Sequence, residues 1–133
     1  QDLEECIKID KKYGYQEIRK IKAQKDIDDL MSSALSFHDA HIESIEAKND
    51  EIHVVFNPYW NRKIELWFEE KPKYENRLED PEYYWWDGGS IFMNQGYIYL
   101  CDEINAPSLD EGDWGIYFAG KGLFYRVLPS DNN

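Results

Sequence analysis

Apolar positions change their spacing once along this chain, near Ser36. From Tyr15 to Leu35 the apolar residues are Tyr15, Ile18, Ile21, Ile27, Leu30, Met31, Ala34 and Leu35. Steps of three and four dominate, which predicts an amphipathic helix in an N-terminal helical part, residues 1–35. Gly14 separates it from a short element around Leu3, Cys6 and Ile7. Beyond Ser36 the spacing becomes two, the mark of half-buried strands.

Register follows from arithmetic. If Phe56 faces Ile64, then Val54 faces Leu66 and Ile52 faces Phe68, so all six lie on one face around a loop from Pro58 to Arg62. The same offset sets His53 opposite Trp67 on the other face. Asn49–Asp50 is a tight-turn signal, and a turn there pairs Ile45 with Val54 and Ala47 with Ile52. Residues 41–69 therefore predict a three-stranded antiparallel meander. The stretch 70–87, EKPKYENRLEDPEYYWWD, is polar, broken by prolines and then abruptly aromatic, and is expected to be a long excursion. Tyr97 to Asp102 predicts a further strand. Trp114, Ile116 and Phe118 alternate, as do Leu123, Tyr125 and Val127, and a loop over Ala119–Gly122 would join them into a closing hairpin. The expected fold is α+β: an N-terminal amphipathic helix packed on a mainly antiparallel sheet. One domain spans 1–133, with its sheet part over 37–128 and a frayed tail over 129–133.

Composition narrows the function. A chain of 133 residues with 42% hydrophobic and 16% aromatic residues buries roughly two-thirds of its unfolded surface without staples. No apolar run reaches the ~20 residues that span a bilayer, so no membrane contact is expected. Residue 1 is Gln, which points to a chain cut from a longer product. Cys6 and Cys101 have no motif spacing, and a reduced, cytoplasmic setting is the simpler reading. The formal net charge is −12. Affinity for nucleic acid comes from neutralising phosphates, so nucleic acid is disfavoured as a partner. A negative field instead favours solubility and rapid capture of a basic protein.

Candidate chemistry is sparse. In HDAH, His38 to His41, two histidines flank Asp39. Such a pair occurs in metal-dependent hydrolases, so one alternative centres a metal on His38, Asp39 and His41. A metal needs three or more converging ligands, and in a strand His38 and His41 point to opposite faces. The preferred reading is structural: the Asp39 carboxylate accepts backbone N–H bonds and fixes the turn into the first strand. No phosphate-cradling loop, nucleophile motif or cofactor motif is present. The aromatic run Tyr83, Tyr84, Trp85 and Trp86 follows Glu79, Asp80 and Glu82. It reads as core, as the stacking surface of a carbohydrate-binding module, or as a protein-binding surface in which acids flank aromatic anchors.

The stretch FHDAHIESIEAKNDEIHVVFN resembles the opening of a group of small uncharacterised bacterial domains. Its marks here are His38, Asp39, Ile42, Ile45 and the strand Ile52 to Phe56. YIYLCDEI, ending in Glu103 and Ile104, is similar to that group's later aromatic strand, and WGIYFAGKGLFYRV to its closing hairpin. The resemblance covers residues 37–128, and only the first motif is specific. Similar domains occur among immunity proteins of bacterial toxin systems, which implies a binding role. The expectation is a non-enzymatic, acidic protein-binding domain that blocks a basic toxin domain. Its partner surface would be Glu79, Asp80, Glu82, Tyr83, Tyr84, Trp85 and Trp86.

Overall fold

The computed structural model describes residues 18–58, 62–77, 86–108 and 114–129. Among the described residues, nine strands form two antiparallel sheets. They are β1 (Arg19–Lys20), β2 (Ala40–Lys48), β3 (Glu51–Pro58), β4 (Arg62–Glu69), β5 (Lys73–Asn76), β6 (Ser90–Asn94), β7 (Tyr97–Cys101), β8 (Ile116–Gly120) and β9 (Gly122–Pro129). The five-stranded sheet runs β1-β9-β4-β3-β2 and the four-stranded sheet β5-β8-β7-β6. A single α-helix among the described residues, α1 (Gln24–Ser33), lies against β6.

The meander forms in the expected register. Phe56 pairs with Ile64, Val54 with Leu66, Ile52 with Phe68 and His53 with Trp67; Ile45 pairs with Val54 and Ala47 with Ile52. A slip of one residue would turn the whole apolar set to the opposite face. Glu43 is a bulge between Ile42, opposite Phe56, and Ser44, opposite Val55. The core lies between the sheets. Val54, Phe56, Leu66, Phe68 and Leu123 meet Leu100, Ile116 and Phe118 there, and Ile27 and Leu30 of the helix and Ala34 just after it join them.

Three expectations are corrected. The helix is shorter than 15–35: Arg19 and Lys20 pair with Tyr125 and Phe124 instead. The apolar stripe is broken by a step of six from Ile21 to Ile27, and Ile21 donates its N–H to the Leu123 carbonyl at 2.9 Å. The helix begins only where Asp26 reaches back to accept the N–H groups of Lys22 (2.7 Å) and Ala23 (3.0 Å), which fixes the chain at its N-cap. Secondly, the stretch 70–87 is not all excursion, since Lys73–Asn76 pairs with β8. Thirdly, β8 and β9 do not form a hairpin. They belong to different sheets, with Lys121 alone between them.

That last departure creates the two-layer fold. β4 pairs with β9, and their continuations β5 and β8 pair in the other sheet, so one antiparallel ribbon bends from layer to layer. On one strand the bend uses Glu70 and Lys71, both in the left-handed region (φ 59° and 57°), with the Lys71 N–H held by Asp50 Oδ1 at 2.8 Å. On the other it needs Gly120, where a Cβ would stand 2.8 Å from the Glu69 carbonyl oxygen and 3.0 Å from its nitrogen. Gly120→Ala should therefore destabilise the fold by about 2–3 kcal/mol, the upper part of the overpacking range because the obstruction is backbone. Urea unfolding checks this; a loss under about 0.5 kcal/mol would show that the ribbon has slack at the bend.

Candidate functional site

Three places concentrate polar chemistry. The first is the link from α1 to β2. Leu35, Ser36, Phe37 and Asp39 all take the left-handed backbone conformation (φ 48° to 60°), which costs about 1–2 kcal/mol for each non-glycine residue. Two things hold the turn. Phe37 is fully buried against Phe56 (ring centroids 5.1 Å) and Trp86 (6.0 Å). A backbone seam also joins it to residues 86–89: Asp39 N–H donates to the Trp86 carbonyl (2.8 Å), Trp86 N–H to Ala40 (2.8 Å) and Gly89 N–H to Ser36 (2.8 Å). His38 Nδ1 lies 3.0 Å from the Asp87 carbonyl oxygen. That carbonyl, followed by the Asp39 charge, raises the His38 pKa above its ordinary value.

Beside this seam lies an open cleft of about 520 Å³ whose lining includes Met31, Ile91, Ile104 and Pro107, with His38 and Asp87 also contributing. Its floor is tightly built. A Cβ on Gly88 would come within 2.8 Å of Ile104, and Ser90 Oγ lies 2.6 Å from the carbonyl oxygens of both Glu103 and Ile104.

The second place is the outer face of the five-stranded sheet. One row, Glu46–His53–Trp67–Phe124–Lys20, crosses all its strands. His53 stacks on Trp67 at 4.8 Å. Beside them Glu65, only 7% exposed, takes Nε and Nη2 of Arg126 on one oxygen (3.1 and 2.7 Å) and His53 Nε2–H on the other (2.9 Å). Burial pushes the Glu65 pKa up. The hydrogen bonds from His53 and Arg126 outweigh it and hold the carboxyl below the usual range.

The third place is acidic. Glu51 stands directly opposite Glu69 across β3 and β4 and opposite Lys48 across β2 and β3, and Lys48, Asn49, Asp50, Glu51, Glu69 and Glu70 line a shallow depression of about 390 Å³ at the ribbon bend. Burial and then the charges of Glu51 and Glu70 raise the Glu69 pKa.

The residues singled out in the sequence fare unequally. His38 and Asp39 do tie the helix end to β2, but not through the Asp39 carboxylate as expected: its backbone N–H makes the bond, while the carboxylate sits 3.4 Å from His38 Nε2 and largely in solvent. His41 is half-buried on β2, and burial lowers its pKa. Among the described residues no group of three or more His, Cys, Asp or Glu side chains converges to hold a metal. Trp86, expected on a partner surface, is instead fully buried, packed edge-on to Phe56 at 5.0 Å. It is core because the seam draws residues 86–89 across the mouth of the sandwich. Glu79, Asp80, Glu82, Tyr83, Tyr84 and Trp85 lie outside the described residues, as does Cys6. Cys101 is a free buried thiol whose pKa burial pushes up to about 12. Asp102 accepts the N–H groups of Gly115 (3.0 Å) and Ile116 (3.1 Å) and so anchors the start of β8.

Sequence reading missed an aromatic group on the outer face of the four-stranded sheet. Phe92, Tyr99, Trp114 and Tyr117 pack on one another at 5.4–5.8 Å. Period-two alternation of Tyr97 and Tyr99 was the available signal. These rings cover each other, leaving Phe92 half-buried and Tyr99, Trp114 and Tyr117 under 9% exposed. No helix of the described residues is long and apolar enough to cross a membrane. Comparison with protein-family models, curated proteins and solved structures finds no match for this chain.

Two outcomes follow from these geometries. At position 39 the constraint is the backbone, so Asp39→Ala should cost about 1 kcal/mol while Asp39→Gly leaves stability within about 0.5 kcal/mol. If the carboxylate were the tie, glycine would be at least as costly as alanine in a denaturation series. At position 65, Glu65→Gln removes the buried carboxylate charge that Arg126 and His53 hydrogen-bond. The loss should be about 2–3 kcal/mol, less than for a fully buried pair because 10–15% of these side chains meets solvent. Because the folded pKa of Glu65 is depressed, its stabilisation is present above the ordinary carboxylate range and lost as pH falls through the folded value. Wild-type stability should accordingly fall more steeply on acidification than that of Glu65→Gln. Parallel acid profiles for the two proteins would contradict this.

Proposed function

We propose that this chain is a non-enzymatic binding domain that works in the bacterial cytoplasm and takes a basic protein as its partner, in the manner of immunity proteins that neutralise toxin domains. The observation that carries the reading is the placement of Glu51 directly across from Glu69, with Glu70 and Asp50 alongside. Like charges in opposed cross-strand positions destabilise a sheet; burial first, and then the Glu51 and Glu70 charges, raise the pKa of Glu69. The acids do not converge as metal ligands would. Cationic side chains arriving from another protein would relieve the repulsion, and a net charge of −12 would steer them in. In sequence, Glu79, Asp80 and Glu82 add to the same sign of field.

Neutralising Glu51, Glu69 and Glu70 together to glutamine should slow association with the basic protein encoded beside this gene and flatten the dependence of that rate on salt. Dissociation should change little, since exposed charges act mainly on encounter. The same variant should unfold at an equal or higher temperature without the partner, because repulsion has been removed. Association kinetics at two salt concentrations, read beside thermal unfolding, provide the check. An association rate indifferent to salt would return the charge to a role in solubility alone.

A further inference from the structure

The cleft beside the left-handed turn has features that neither its fold nor its charge requires. Leu35 is 53% exposed and Ile104 63% exposed, two of the large apolar side chains that the described surface leaves in water. Ile104 lines the cleft, and Leu35 directly precedes another lining residue, Ser36. Leu35 is turned outward by a backbone held in the left-handed region at three consecutive positions. Strain of this kind persists only where the surrounding structure over-determines it, and it gathers at ligand clamps. Here Phe37 in the core and the seam to residues 86–89 supply that determination. Apolar groups presented together on a rigid base, with polar groups around them, are the ordinary anatomy of a protein contact.

Charge indicates the kind of partner. Asp87 lines the cleft and is exposed, and the largely exposed Asp39 carboxylate lies 3.4 Å from Nε2 of His38, another lining residue. Arg62, whose Nη1 donates to the Ser33 carbonyl at 3.3 Å, is engaged at the end of α1. We infer that this cleft is the anchoring site for the basic partner: it seats an aliphatic side chain against Ile104 and Met31, which line it, and the contact extends to exposed Leu35, the chain neighbour of the lining Ser36, while a neighbouring Lys or Arg of the partner meets Asp87 and Asp39. The inference rests on the basic-partner reading and divides the labour within it. Acids at the ribbon bend raise the rate of encounter, and the cleft, at the other end of β2, sets the residence time. A floor fixed by Gly88, Gly89 and Ser90 lowers the ordering cost of such an anchor.

The test uses the whole chain, isotope-labelled, and two synthetic peptides of equal length and charge, one alternating Lys with Leu and the other Lys with Ser. The Lys–Leu peptide should shift the amide resonances of Ser36, Gly88, Gly89 and Ile104. The Lys–Ser peptide should shift amides around Glu51, Glu69 and Glu70 and leave the cleft unmoved. Ile104→Ser and Leu35→Asn preserve charge and alter exposed positions. Each should weaken Lys–Leu binding by about ten-fold, the loss expected of an anchor side chain, with Lys–Ser binding unchanged. If Lys–Leu binds but spares the cleft amides, or binds both variants as it binds the wild type, the cleft assignment is overturned and the basic-partner reading stands. If neither peptide binds at low salt, the basic-partner reading itself fails.

Discussion

Everything in this fold depends on the close passage of Gly120 over the backbone of Glu69. A single antiparallel ribbon, β4–β5 against β9–β8, contributes to both sheets, and it can do so only if one strand carries no side chain where it turns. The turn brings the two apolar faces together, and the ring stack Phe68–Phe118 at 5.7 Å closes directly inside it. Flatten the ribbon, and Leu66, Phe68, Leu123 and Phe118 would face water in one continuous sheet. Each buries on the order of 1.5–3 kcal/mol of transfer free energy, so the bend and the core are one cooperative event.

The bend also explains why charge collects where it does. Glu70 and Lys71 adopt left-handed geometry to turn the strand, and Asp50 crosses from the β2–β3 turn to hold the Lys71 N–H. One acid is thus structurally required, and Glu51 and Glu69 are brought opposite each other by the register that the core imposes. The repulsion there is a consequence of sequence choice at solvent-facing positions, where neutral residues would satisfy the same fold. Burial of Glu65 on the outer face differs in kind: its carboxylate is satisfied on both oxygens, so it fastens β3, β4 and β9 together.

What the sequence made legible was governed by burial on one face. The register of β2, β3 and β4 could be worked out because only one offset places Ile52, Val54, Phe56, Ile64, Leu66 and Phe68 together. The helix limit was visible as well, in the gap from Ile21 to Ile27, but the three- and four-residue steps on either side disguised it. β5 was hidden because its burial pattern is mostly exposed, and Lys73 and Glu75 resemble loop residues. β6 went unread because its burial does not alternate: Ser90 and Ile91 are buried while Met93 and Asn94 are exposed. The glycines of Ala119–Gly122 signalled a hairpin loop by composition, yet they act as strand residues at a crossing, and close approach of backbones leaves the same signature as a turn. At the site, HDAH correctly marked the link between helix and sheet. The run of left-handed residues beside it was not legible, since Leu35 and Phe37 disfavour that conformation and adopt it only because Phe37 is held in the core.

Trp86 connects these observations. It lies at the end of an aromatic run that sequence alone could place in the core or on the surface. Its bridge to Ala40 draws it inward, and its ring closes over Phe56 and Phe37. That closure fixes exposed Asp87 beside His38 and buried Gly88 and Gly89 in the lining of the cleft, so the cleft owes its shape to a core contact. On the binding reading proposed above, Trp86 acts indirectly, by setting the backbone beside which exposed Ile104 is displayed. The chain spends only one residue, Asp87, in passing from the core at Trp86 to the glycines on which Ile104 rests.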